Sequence, residues 1–135
     1  MTLDIQNLAY AITQIVHNFG AVTVVGGAVF ALVWRDVELQ RRLAWMVLAG
    51  WLIQAVSGAT FGAISYYYYA KFPDIFGIAI VALLVKVVCA ALGISLAGWL
   101  LLAQLSESSR RYAWLVLCIL GVLALSSAAV LRWFS

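Results

Sequence analysis

The chain has 135 residues, 67% hydrophobic and only 10% charged, with a mean hydropathy of +1.09 and a formal net charge of +3. A soluble domain carries about 25% charged residues, so the composition excludes a water-soluble globular domain and makes the lipid bilayer the solvent. The basic residues sit in short segments beside apolar runs, a membrane-topology pattern that excludes nucleic acid as a partner.

The first apolar run covers residues 8–34, beyond the roughly 20 residues needed to cross a bilayer. The segment before it is polar, lacks a basic n-region and is followed by no small-residue cleavage site, which predicts a retained span. The run ends at the charged stretch Arg35-Asp36-Val37-Glu38-Leu39-Gln40-Arg41-Arg42, expected to be a loop. A second span is predicted over residues 43–66, closing in the tyrosines Tyr66 to Tyr69 as an interfacial aromatic belt. After Lys71, Pro73 favours a helix start. The third span, residues 75–105, is longer than a crossing requires, and a fourth covers 112–134. Loops this short imply one all-α domain, an integral membrane up-down four-helix bundle.

Arg35, Arg41 and Arg42 flank the first connection and Arg110 and Arg111 the third, whereas Lys71 stands alone in the second. The positive-inside rule then puts the first and third connections in the cytoplasm and both termini outside, with Arg132 as the discordant charge. This expectation fits a multi-pass protein of a bacterial plasma (inner) membrane. Gly20, Gly26 and Gly27 in the first span, Gly58 and Gly62 in the second, and Gly93 and Gly98 in the third are expected to mark close helix approach. Gly58 and Gly62 read as a contact stripe, with Gly58 more sensitive to enlargement than Gly50.

Two polar residues interrupt the apolar runs. His17 is the only histidine in the chain, and Lys86 lies within the third span. At about 1.5 Å per residue they fall at nearly the same depth, in the outer half of the membrane. Ser57 and Thr60 reach that level from the second span, with Gln54 slightly deeper. Gln14 is one turn above His17, and Cys89 one turn below Lys86. Intramembrane ionisable groups are functional-site hypotheses by default, and no Asp or Glu lies inside any span to pair with Lys86.

Several roles stay open for the pair. His17 is readable as an imidazole hydrogen-bonded to Gln14, Ser57 or Thr60, as an axial haem ligand, or as a copper ligand with Cys89. Lys86 is readable as neutral, as snorkelling, as bonded to hydroxyl or backbone oxygens, or as the partner of an anion from a ligand or neighbouring subunit. Cys89 and Cys118 otherwise read as small buried hydrophobes. No catalytic triad, P-loop, dinucleotide fingerprint or HExxH sequence is present. The four-helix small multidrug exporters are excluded by the missing carboxylate in the first span.

His17 with Gly20 and the Gly26-Gly27 pair, an arginine-containing loop, Ser57-Gly58, and Leu84-Val85-Lys86-Val87-Val88 together resemble the copper-resistance D family and the related bacterial membrane protoporphyrinogen oxidases. The resemblance covers roughly residues 10–100. It implies a functional histidine and lysine, carried by His17 and Lys86, and a haem in the oxidase branch. That branch has a further histidine late in its third span, where this chain reads Ser95-Leu96-Ala97-Gly98-Trp99, and a Trp where this chain has Val25.

Three functions follow as expectations. The first is haem or tetrapyrrole handling (possibly through haem b) in a pocket of His17, Lys86, Gln14, Ser57 and Thr60. The second is copper handling through His17 and Cys89. The third is a non-catalytic accessory subunit, joined as a homodimer or to a larger membrane complex.

Overall fold

The computed structural model describes residues 4–71 and 75–134. It contains α1 (Ile5–Val33), α2 (Val37–Tyr69), α3 (Ile78–Leu102) and α4 (Glu107–Phe134), each long and apolar enough to cross a membrane. Each helix packs on its two neighbours in chain order, with α1 closing against α4. The diagonal pairs, α1 with α3 and α2 with α4, have no Cα atoms within 8 Å of each other among the described residues. The chain is therefore an up-down four-helix bundle, and a multi-pass membrane protein. One end carries Tyr66 to Tyr69, and the other carries Arg35, Arg41, Arg42, Arg110 and Arg111. These are called the tyrosine end and the arginine end below.

The helix limits differ from the expected spans for local reasons. The stretch from Arg35 to Arg42, expected as a loop, is mostly the first turns of α2. Asp36 caps that helix, its carboxylate accepting from Leu39 N at 2.7 Å, with Glu38 following in the first turn. At the start of α4, Ser106 Oγ accepts from Ser109 N at 3.3 Å, so that helix begins at Glu107 rather than 112. Gly77, with φ +54°, turns the chain into α3 at Ile78 rather than 75, a backbone conformation that favours glycine. α3 ends at Leu102 rather than 105. Pro73 lies outside the described residues.

All four helices bury a seam at helical spacing, with steps of three and four residues alternating strictly in α1 and α2. In α1 it runs Thr13, His17, Gly20, Val24, Gly27, Ala31; in α2, Gln40, Leu43, Val47, Gly50, Gln54, Ser57. α3 contributes Ala79, Ala82, Cys89, Gly93 and Ala97, and α4 contributes Ala113, Trp114, Leu117, Gly121 and Ala124. This spacing is the signature of helices packed near-antiparallel with interlocking side chains. The opposite faces carry large apolar side chains in the open, such as Phe19 (70% exposed) and Val56 (67%), a surface suited to lipid rather than water.

The glycines that permit close approach are not all those expected. A Cβ on Gly20 would lie 3.3 Å from Gly50 O, and one on Gly50 would lie 3.2 Å from Gly20 O, so α1 and α2 touch backbone to backbone there. Gly27 faces Val47, Gly93 faces the Trp51 indole, and Gly121 faces Val24 and Val25. By contrast, Gly26, Gly58 and Gly98 have open space where a Cβ would stand. The expected ranking of Gly58 above Gly50 is thus reversed. Small residues serve lipid-facing positions as readily as contacts, because lipid imposes no shape on the outer face.

Candidate functional site

His17 belongs to the buried seam of α1 and is 7% exposed. Lys86 takes the α3 seam position between Ala82 and Cys89, which aims its side chain across the bundle. Counting helical rise, each residue lies about 24 Å from the arginine end of its helix, Val33 for α1 and Leu102 for α3. The two therefore meet. Lys86 Nζ lies 2.8 Å from His17 Nε2, a bond that spans the diagonal between helices whose backbones do not touch.

The other ring nitrogen is held by α2. His17 Nδ1 lies 2.6 Å from Ser57 Oγ, and Ser57 Oγ lies 2.5 Å from the Ile53 carbonyl of its own helix. Counting protons orders the chain. The Ile53 carbonyl can only accept, and a serine hydroxyl has one proton, so Ser57 donates to Ile53. His17 Nδ1–H then donates to Ser57 Oγ, and the bare Nε2 accepts from Lys86. The result is a polarised chain from Lys86 through His17 and Ser57 to Ile53, crossing three helices in a medium that lends strength to each link.

Gln54, one turn from Ser57 and 8% exposed, donates its amide to the backbone carbonyl of His17 itself. This second α1–α2 bond falls beside the Gly20–Gly50 contact, where the two backbones are close enough for a glutamine to reach. Phe61 closes the tyrosine side, its ring edge-on to His17 at 5.7 Å between centroids and stacked on Tyr10 at 6.3 Å. Fixing both ring nitrogens and the backbone of His17 leaves the imidazole one orientation.

Of the residues expected at this site, the structure brings together His17, Lys86 and Ser57. Gln14 instead donates to Asn18 at 2.7 Å, and the Thr60 hydroxyl donates to the Val56 carbonyl at 2.8 Å; both bonds stay within one helix. Cys89 is 4% exposed and belongs to the apolar core with Trp51 and Ala97. Among the described residues, no three His, Cys, Asp or Glu side chains converge on a point that could hold a metal ion. Gln54, expected slightly deeper than Ser57, joins the site through the His17 backbone, and Phe61 is the participant that sequence reasoning left out. The signal for Gln54 was its position, three residues before Ser57 and therefore on the same face.

The fold and this site define a class: a four-helix multi-pass membrane protein organised around one buried lysine–histidine–serine chain. No family model, curated protein or solved structure matches the chain, so the functional reading rests on its own residues.

Proposed function

We propose that this protein handles a carboxylate-bearing tetrapyrrole, with His17 offering Nε2 to the iron of a haem b and Lys86 offering its ammonium to a propionate. The observation that carries the reading is the state of the imidazole. A ligating histidine usually has its second nitrogen tied to a hydrogen-bond partner that fixes the tautomer. Here Ser57 holds Nδ1, and the Nε2 lone pair faces the bundle interior, where Lys86 covers it. The same lysine has no acidic partner in any span. A carboxylate that draws the ammonium away uncovers Nε2, so one ligand answers both residues. Bound there, such a group would supply redox chemistry, with His17 providing a nitrogen ligand, Lys86 the counter-charge and the bundle a dry surround. The resemblance to the protoporphyrinogen oxidases points the same way. The reading concerns binding and makes no claim of turnover.

Topology belongs to the same proposal. The arginine end faces the cytoplasm of a bacterial plasma membrane and both termini lie outside, which sets the Lys86–His17 pair in the outer half.

Purified protein tests the reading directly. Supplemented with haem, the wild type is expected to show a Soret band, His17→Ala to abolish it, and Lys86→Ala to weaken retention while the iron ligand persists. Lys86→Gln should behave like the alanine variant, because an amide cannot neutralise a propionate. Absence of a Soret band in the wild type, or its survival in His17→Ala, overturns the proposal.

A second reading is the accessory subunit, as a homodimer or within a larger membrane complex. It is favoured by Gly26, Gly58 and Gly98, whose open surroundings leave room for a neighbouring helix. Copper has less support, because Cys89 is packed into the apolar core.

A further inference from the structure

The second feature lies at the arginine end, far from the His17 chain. Gln40 opens the buried seam of α2 and is 7% exposed. Its amide nitrogen donates to the Ala31 carbonyl at 2.8 Å and the Trp34 carbonyl at 2.9 Å, tying down the last turn of α1. Both amide protons are thereby used, which fixes the amide's orientation. Its Oε1 is buried and has no hydrogen-bond partner. An unmatched buried acceptor is costly, and this one belongs to a residue lining a cleft.

That cleft is bounded by Ala31, Leu32, Arg35, Gln40, Glu107, Arg110 and Arg111, and holds about 20 Å³ of space. A volume of this size admits one water or one hydroxyl and no larger group. Its rim is cationic. Arg35 is matched by Glu107 at 3.4 Å, whereas Arg110 and Arg111 have no acidic partner among the described residues. Both arginines also stand in the first turns of α4, where the helix dipole favours negative charge. At the same end of the bundle Trp34 stacks on Phe30 at 5.2 Å, an aromatic pair of the kind found at headgroup level.

We propose that this cleft is a headgroup site for an anionic phospholipid that also carries a headgroup hydroxyl. The phosphate sits on Arg110 and Arg111 at the rim, and the hydroxyl enters the cleft and donates to Gln40 Oε1. One molecule of this kind would answer both the cationic rim and the unmatched acceptor. Phosphatidylglycerol has both groups. Phosphatidic acid has the anion without the glycerol hydroxyls, and phosphatidylcholine has neither a net charge nor a donor.

Native mass spectrometry of the full chain in detergent, with each lipid added in turn, tests the assignment. Phosphatidylglycerol should be retained about thirtyfold better than phosphatidylcholine, on the scale set by two arginines near a phosphate. It should exceed phosphatidic acid by about fivefold, the worth of one hydrogen bond to a buried acceptor. The Arg110→Gln/Arg111→Gln double variant should lose the preference over phosphatidylcholine, while Arg132→Gln at the tyrosine end keeps it. Gln40→Met should erase the advantage over phosphatidic acid; if that variant fails to fold, the lipid comparison in the wild type still decides. Equal retention of phosphatidylglycerol and phosphatidylcholine, or a preference surviving in the double variant, overturns the site. Equal retention of phosphatidylglycerol and phosphatidic acid removes the hydroxyl contact. Release of the lipid by excess inorganic phosphate assigns the cleft to free phosphate and overturns the lipid reading.

Discussion

The proton order of the buried chain makes a sharp prediction, because the protein has one histidine and histidine-selective ¹⁵N labelling therefore reports on His17 alone. The order requires a neutral imidazole protonated at Nδ1 and bare at Nε2. The Lys86 amine has protons to donate in either charge state and the imidazole carries its one proton on Nδ1, so the shared proton belongs to Lys86. Two hydrogen bonds hold this tautomer, one to Ser57 and one from Lys86. At about 1 kcal/mol each, they favour it by about 2 kcal/mol, or roughly thirtyfold. Ser57→Ala removes one of them and leaves the Nδ1–H without that acceptor. The preference should then fall to about fivefold, and the signals of the other tautomer should become visible. The same substitution should lower stability in mixed micelles by about 1 kcal/mol, within the range of interhelical hydrogen bonds in membrane proteins. The backbone of α2 is untouched, since Ile53 O keeps its place in the helix. A wild-type spectrum showing Nε2 protonated, or both nitrogens protonated, refutes the proton order and with it the presentation of Nε2 to a ligand.

Packing supplies two further predictions, each measured by unfolding in mixed micelles. Gly50→Leu should destabilise by about 2 kcal/mol or more, because its Cβ meets α1 at 3.1–3.2 Å, whereas Gly58→Leu should stay within about 0.5 kcal/mol; equal effects would mean that the α1–α2 contact lies elsewhere. Gly93→Ala drives a methyl into the Trp51 indole and should cost about 3 kcal/mol. Combining it with Trp51→Leu should cost less than the sum of the two single changes, and strict additivity would deny the contact.

Reading the chain in lipid differs from reading it in water, and the His17 site shows where the difference lies. The spans were legible because crossing a bilayer demands long apolar runs. The shared depth of His17 and Lys86 was legible too, because helical rise is fixed and both can be counted from a loop. Which face turns inward was harder to read, since a helix in lipid is apolar all round and its hydrophobic pattern no longer separates core from surface. The inward face is written instead in polar and small residues, and neither class marks it without exception: Gln14 and Thr60 bond within their own helices. Gln40, Gln54, Ser57 and His17 all fall on the buried seams, whereas among the glycines Gly58 and Gly98 face outward. An unmatched polar side chain in hydrocarbon carries a cost, but a hydroxyl can meet it on the carbonyl one turn back, as Thr60 and Ser126 do, and a glycine exposed to lipid carries no such cost. The contact between Lys86 and His17 was beyond the reach of the sequence for another reason. It depends on a diagonal separation that only the packing sets, and on a lysine long enough to cross it. That geometry also explains why the lysine stands in the seam. Short residues flank it at Ala82 and Cys89, and no backbone contact joins α1 to α3. The link between that diagonal pair at this depth is a side-chain bond, which a competing anion can break without separating any two packed helices.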